Sequence, residues 1–477
     1  MSPAKHITPQ NKRRSNSGPS QDGYLNIGAD RIAGEPQCQR KWRRGPAPRE
    51  DYVKTLLKIA MLSTALLSVG SVQAQETVVW WDFLSGGDGV RMKALIEQFN
   101  TEHAGEIEIQ PTTLEWGTPF YTKVQTSAAI GEGPDVMTYH LSRVPLGVES
   151  GALAPISAED LAGVDLGPDT FAPANWEAGQ IEGQQYAVPF DIHSLILYYN
   201  KDKLAEAGLL GEDGLPTGLD GADNFMAALE KLRGGSEYAL SLQTSGDGTP
   251  WRVFYSLFGQ QDGVFLAEDG TFFPEESIPK AVAAVETMAS WVEGGLAPAL
   301  TEYEGSVALF TSGAAALHLN GVWEVPTMAD LSEKGELGFE WGAIAVPTFF
   351  DHPATWADSH GFAIPNNVGK EVTPEKKAAV LEVISWMNKN SLAWANAGHI
   401  PAYTPVRESE EFKTMQPNAT YSILADTAVF DPRSTLAGVA SPVYDAVANY
   451  ISPAMNGELE AQDAIEEMKA DLQDQAE

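Results

Sequence analysis

The sequence predicts an α/β protein of two lobes, each assembled from separate stretches of chain, and three observations carry that prediction. At 477 residues the chain is too long for one ordinary domain. From Glu76 onward, short apolar runs alternate with segments of helical periodicity, the pattern of sheets with crossover helices. No repeat, heptad run or long linker divides the chain into halves. Domains without a linker between them are expected to be discontinuous, with the chain passing from one to the other more than once.

The elements follow in order. Residues 78–81 (Val-Val-Trp-Trp) suit a buried strand, and residues 90–100 set Met92, Leu95, Ile96 and Phe99 on one helical face. Residues 106–110 alternate Ile with Glu, and Phe120, Val124 and Ala128 mark a second helix before a strand at 135–139. This βαβαβ opening implies a parallel sheet with right-handed crossovers. In residues 186–204, Pro189 fits only a strand edge or start. Residues 195–199 form an apolar run of the kind buried on both faces of a parallel sheet, and Asn200 and Asp202 suit the start of a helix. That stretch is expected to join the two domains. A second α/β region has helices at 223–233 and Ile278–Glu293, with Pro279 in the first turn, and a strand at 314–319. A strand is expected at 341–346, Thr373-Pro374 caps a helix carrying Val380, Ile384 and Met387, and the terminal helix aligns Ala461, Ala464, Ile465, Met468 and Leu472.

The beginning of the chain differs from the rest. Residues 1–52 are basic and lack apolar periodicity, which predicts a disordered or untranslated extension. Residues 54–58 then supply a positive region, 59–69 an apolar core and Val72-Gln-Ala74 a small-residue cleavage site, the order of a secretory signal peptide over 53–74. Its apolar core is too short to span a membrane. Translation is expected to start at Val53, a start that sequencing the unprocessed N-terminus tests. The whole chain has 31 basic and 65 acidic residues, and the first 74 hold 12 and 5 of these, so the remainder carries a net charge of −41. Such a surface repels nucleic acid and anionic membranes. The one cysteine, Cys38, lies in the removed segment, so the exported protein has no disulfide, thiolate metal site or cysteine nucleophile.

Several motifs carry a resemblance. Gly131-Glu-Gly-Pro134-Asp135-Val136 precedes a strand. Phe310-Thr-Ser-Gly313, a strand and Asn320-Gly321-Val-Trp323 follow one another. Gly342 to Pro347-Thr348 and Gly398-His-Ile-Pro401 to Arg407 come later in the same order. Together with residues 186–204, these are similar to extracellular solute-binding proteins of family 1, the maltose-binding-protein-like components of carbohydrate ABC transporters. The resemblance covers nearly all of residues 75–477. It implies a periplasmic-binding-protein type II fold with lobes at 75–189 plus 360–409 and 190–359 plus 410–477, joined by a multi-crossing hinge. It also implies a small-molecule carbohydrate held between the lobes, periplasmic location, membrane permease subunits as partners, a monomer, no enzymatic activity and no cofactor.

The candidate site follows from physical rules and from the resemblance together. Ligands in open α/β sheets lie beyond the carboxyl ends of the strands, which selects Trp81, Asp82 and Asp88 after the first strand, Tyr139, His140 and Arg143 after the third, and Trp323 after the Asn-Gly turn. A sugar presents C–H faces and hydroxyls, so aromatic plates and side chains with several hydrogen-bonding atoms suit it. Trp80 and Trp81 face opposite sides of their strand, one of them towards core, and Trp81 is assigned to the cleft. Asp191 and His193 share a side of their strand, and His193 stands where related proteins can carry a carboxylate. His360 falls at the second crossing as a hinge or contact residue, and the resemblance adds Trp251 and Arg252 from a loop. Most large aromatics are core, and a buried histidine is often structural.

Rival chemistries find less support. Asp82 and Asp191 could act as a glycosidase pair, but no nucleophile elbow, His-Glu-x-x-His or phosphate-binding loop accompanies them. The Asp-rich loops at 211–223 and 261–270 lack calcium-loop spacing, so no metal is expected. A polyamine-type cation would also use Asp with Trp and Tyr plates, and Arg143 and His193 weigh against it. A phosphodiester or polyol phosphate would need several basic residues in the cleft.

Overall fold

The computed structural model describes residues 75–477, so the extension, the signal peptide and Cys38 lie outside the described residues. Two sheets organise the chain. The first begins with β1 (Glu76–Asp82), β2 (Ile107–Thr113) and β3 (Val136–His140), linked by α1 (Gly86–Glu102) and α2 (Thr118–Ala129). β2 and β3 both run parallel to β1, as the βαβαβ pattern requires. α1 buries Met92, Leu95, Ile96 and Phe99, the face expected from its periodicity.

β4 (Ala187–Pro189) forms the far edge of this sheet, where proline's missing N–H costs no ladder bond. One residue later the chain enters β5 (Asp191–Asn200), the centre of the second sheet, whose ten residues are all buried. Asn200 ends the strand by capping α3 (Lys201–Glu206), its side chain accepting from Lys203 N–H. The second sheet continues through α4 (Ala222–Arg233), β6 (Tyr238–Ser241), α5 (Gly248–Gly259), α6 (Ile278–Glu293) and α7 (Tyr303–Thr311) to β7 (Ala315–Gly321). Next come α8 (Val325–Glu333), β8 (Trp341–Ala345) and β9 (Thr355–Asp358), and after Ser359 the chain re-enters the first sheet as β10 (His360–Ala363).

The segments that follow include α9 (Pro374–Lys389), α10 (Ser391–Ala395), β11 (Ile400–Pro401), β12 (Ala428–Phe430) and the terminal α11 (Ala461–Ala476). Strand orders are β2-β1-β3-β10-β4 and β12-β9-β5-β7-β6, with β8 and β11 also pairing with β5. The expectation of parallel neighbours for residues 195–199 is corrected here. Their burial on both faces is as expected, yet β5 pairs antiparallel with β7, β8, β9 and β11. Apolar runs report two-sided burial, and strand direction is set by the connections. Thr373 caps α9 by accepting from Lys376 N–H, and α11 buries Ala464, Ile465, Met468 and Leu472. Among the described residues no helix is long and apolar enough to cross a membrane.

Candidate functional site

A cavity of about 530 Å³ opens where the carboxyl ends of the parallel strands in both sheets meet. From the first sheet it receives the turn after β1 (Phe83 to Asp88), Trp116 from the loop after β2, His140 at the end of β3 and His360 at the start of β10. From the second it receives His193 of β5, Gln243, Asp247 and Arg252 after β6, Tyr303 and Glu304 of α7, and Trp323, Glu324 and Thr327 after β7.

Local packing aims the aromatic groups. Trp323 Nε1–H donates to the Tyr303 hydroxyl at 2.8 Å, and that hydroxyl donates to Glu324. Gly321 makes room for the indole, since a Cβ there would stand 2.1 Å from a ring carbon of Trp323. The Arg252 guanidinium lies 4.8 Å from the ring centres of both Trp323 and Trp356. Its Nε has no hydrogen-bond partner among the described residues. His140 stacks on Phe83 at 4.6 Å and is joined through Nδ1 to the Tyr121 hydroxyl.

Beneath the cavity, Asp191 is fully buried and acts as a hub. Its carboxylate accepts from Trp394 Nε1–H (2.7 Å), His360 N–H (2.9 Å), His360 Nδ1 (2.8 Å) and His193 Nδ1 (3.1 Å). His399 reaches the same carboxylate at 3.3 Å through Nδ1 and Asp88 at 3.0 Å through Nε2. Burial opposes the charge on Asp191, but His360, His399 and the hydrogen bonds hold it well below the usual carboxylate range. Burial and the neighbouring His360 push His193 down to about 3, and burial, His360 and His193 push His140 well below its ordinary value. Burial also works against the charge on His399, but Asp88 and Asp191 outweigh it and raise its pKa.

Of the residues expected from sequence, Asp88, His140, His193, Trp323 and His360 line the cavity, and Asp191 braces two of them from below. Trp81, Asp82, Tyr139, Arg143 and Trp251 do not line it. Trp81 is half-buried with Lys123 over its ring, while Trp80 is core and donates to Thr138. Asp82 turns back to accept from Leu84 N–H, and burial raises its carboxyl to about 6. Tyr139 is core, and Arg143 lies over Tyr121 and donates to the Ala440 carbonyl. Trp251 and Arg252 stand on α5, not in a loop. Helical geometry sends Trp251 into the core, where it donates to Asp431, and leaves Arg252 at the cavity. Trp116, Tyr303, Glu324 and the support from His399 were missed by sequence reasoning. Trp116 follows the second strand, and the strand-end rule applied there selects it.

Two sheets exchanging strands around a shared cleft define a two-lobed solute-binding fold. Residues 94–420 match the family of bacterial extracellular solute-binding proteins, and the chain belongs to that family. It is similar to the lactose-binding protein of Rhizobium radiobacter, 26% identical over 325 residues covering 65% of this chain and 71% of the relative. The mannitol-binding protein of Pseudomonas aeruginosa is 25% identical over 320 residues, 66% of this chain and 70% of that one. An ABC substrate-binding protein of Listeria monocytogenes in complex with cycloalternan has the same fold, with a TM-score of 0.69, 19% identity, and coverage of 84% of this chain and 99% of that one.

Proposed function

We propose that this chain is the periplasmic component of an ABC importer, capturing a carbohydrate between two lobes by hinge closure and delivering it, as a monomer, to membrane permease subunits. The observation that carries the reading is the cavity itself. Aromatic rings Phe83, Trp116 and Trp323 stand among Asp88, His193, Gln243, Asp247, Arg252 and Glu324, plates and hydrogen-bonding groups of the kind a polyhydroxylated ring requires. The lobes are taken as 75–189 with 360–409 and 190–359 with 410–477. In this reading, contacts from both lobes stabilise the closed form, and ligand shifts the equilibrium only by its differential affinity for closed over open.

The sugar-binding names of the relatives support carbohydrate as the solute and binding without turnover as the activity. The carboxylates of Asp88, Asp247, Glu304 and Glu324 in the cavity favour one second reading, a cationic solute such as a polyamine. Against it, the position between Trp323 and Trp356 is already filled by Arg252.

A thermal-shift panel of mono-, di- and oligosaccharides, polyols, polyol phosphates and polyamines decides between them. Ligand at 100 times its dissociation constant adds about 2.7 kcal/mol, so the true class raises the unfolding midpoint. A sugar is expected to raise it and to be recovered unchanged after prolonged incubation. A shift with amines alone, or turnover of the sugar, refutes the proposal.

A further inference from the structure

We propose that Asp191, His193, His360 and His399 form a binding site for a divalent transition metal ion, with zinc as the type case, at the floor of the cleft. Three of the eight histidines in the chain converge on one buried carboxylate. One donor atom from each of the four residues lies within 4.8 Å of the others. Nδ1 of His193, His360 and His399 stands 3.1, 2.8 and 3.3 Å from the Asp191 oxygens. A tetrahedral ion with ligand bonds of about 2.0–2.1 Å separates its donors by about 3.3 Å, so small movements would admit it.

Hydrogen bonding alone leaves this cluster one acceptor short. A carboxylate offers about four lone-pair positions, whereas Trp394 Nε1, the His360 amide and three imidazole Nδ1 atoms all approach this one. His399 Nδ1 is the group left over: fully buried, and without a hydrogen-bond partner among the described residues. An ion that takes the three Nδ1 lone pairs removes that competition.

The outer support of such a site is also in place. His399 Nε2–H points at Asp88 Oδ2, 3.0 Å away, which is the carboxylate–histidine–metal arrangement, and Trp394 and the His360 amide hold the Asp191 oxygens. Three imidazoles and one carboxylate suit zinc, cobalt or nickel. His193 and His360 line the cavity, so the cleft is the route in. The ligands come from β5, β10 and the residue before β11, so the ion ties together the segments that join the two sheets.

The test uses tag-free protein, stripped with EDTA and then dialysed against zinc. One zinc per chain is expected by elemental mass spectrometry, with a thermal midpoint that rises on zinc addition and returns with EDTA. Cobalt in its place should give the intense visible absorption of a tetrahedral site. H399Q should lose the ion, and the double variant H103Q/H352Q, altered at histidines outside the cluster, should keep it. Absence of stoichiometric zinc in the wild-type protein overturns the proposal whatever H399Q does. So does an ion lost with H103Q/H352Q, or a weak, octahedral cobalt spectrum. Sugar binding is scored separately, so neither result decides the other.

Discussion

Trp323 owes its place at the cavity to the residue two before it. Because Gly321 carries no side chain, the indole rests on the strand end, donates to Tyr303 and leaves a face for Arg252. Gly321→Ala is therefore expected to destabilise the protein by about 1–3 kcal/mol through overpacking and to weaken sugar binding, read by chemical denaturation and calorimetry. Trp323→Ala should weaken sugar binding roughly tenfold, the loss expected when about 50–60 Å² of apolar contact at about 25 cal/mol per Å² is given up, while circular dichroism stays unchanged. Equal affinity in that variant would return Trp323 to a packing role. At this scale the sequence supplied the motif and the strand-end rule, hence Asp88, His140, His193 and Trp323. It misassigned Trp251 because the neighbouring Gly246-Asp-Gly-Thr-Pro250 looks like a loop, whereas the chain from Gly248 is helical and helical rotation decides which of Trp251 and Arg252 faces the cavity.

Among the elements, β5 and its partners carry the junction between the sheets and a set of buried polar groups that includes Asp191, His193, Asn200, His318 and Asp358. Asn200 ends β5 and starts α3 with one side-chain hydrogen bond, so Asn200→Ala should cost about 1 kcal/mol, measured as a shift in the urea midpoint. β6 and β7 bury His318, which is joined to Ser241, and burial pushes its pKa down to about 4. The unfolded chain takes up that proton near pH 6.5, so between pH 6.5 and 4 the unfolded state binds more protons and stability falls as pH falls. The slope from this one group approaches about 1.4 kcal/mol per pH unit inside the window. Subtracting the profile of His318→Gln from that of the wild-type protein should isolate it. Parallel profiles would mean that the fold does not lower the His318 pKa. Periodicity made these elements legible, because burial of one face or of both leaves a local signature. Pairing direction left none, and β5 is antiparallel where its apolar run suggested parallel neighbours.

For the molecule as a whole, the relation between the two sides of the cleft decides function. α1, which packs against β2 of the first sheet, touches α8, which follows β7 of the second, and Arg91 forms a two-pronged ion pair with Asp330 between them. Asp330 holds the Arg91 pKa up, and Arg91 draws that of Asp330 down. An exposed pair contributes about 0–1 kcal/mol. If it forms only when the cleft is closed, Arg91→Ala should lower sugar affinity by up to about fivefold without touching the ligand. Calorimetry in low and high salt checks this, since screening should shrink the difference.

The sequence by itself determined the α/β class, the order of the elements, the helix caps at Asn200 and Thr373 and the family, since each of these is written in nearest neighbours, periodicity or motif order. Only the tertiary structure decided that Asp191 gathers histidines separated by up to 206 positions in sequence, that Tyr303 reaches the cavity, and that Arg143 does not. The reason is geometric. A local pattern states which face of a strand or helix is apolar, whereas convergence on one point depends on how two sheets are placed, and that placement is the sum of contacts made far apart in the chain.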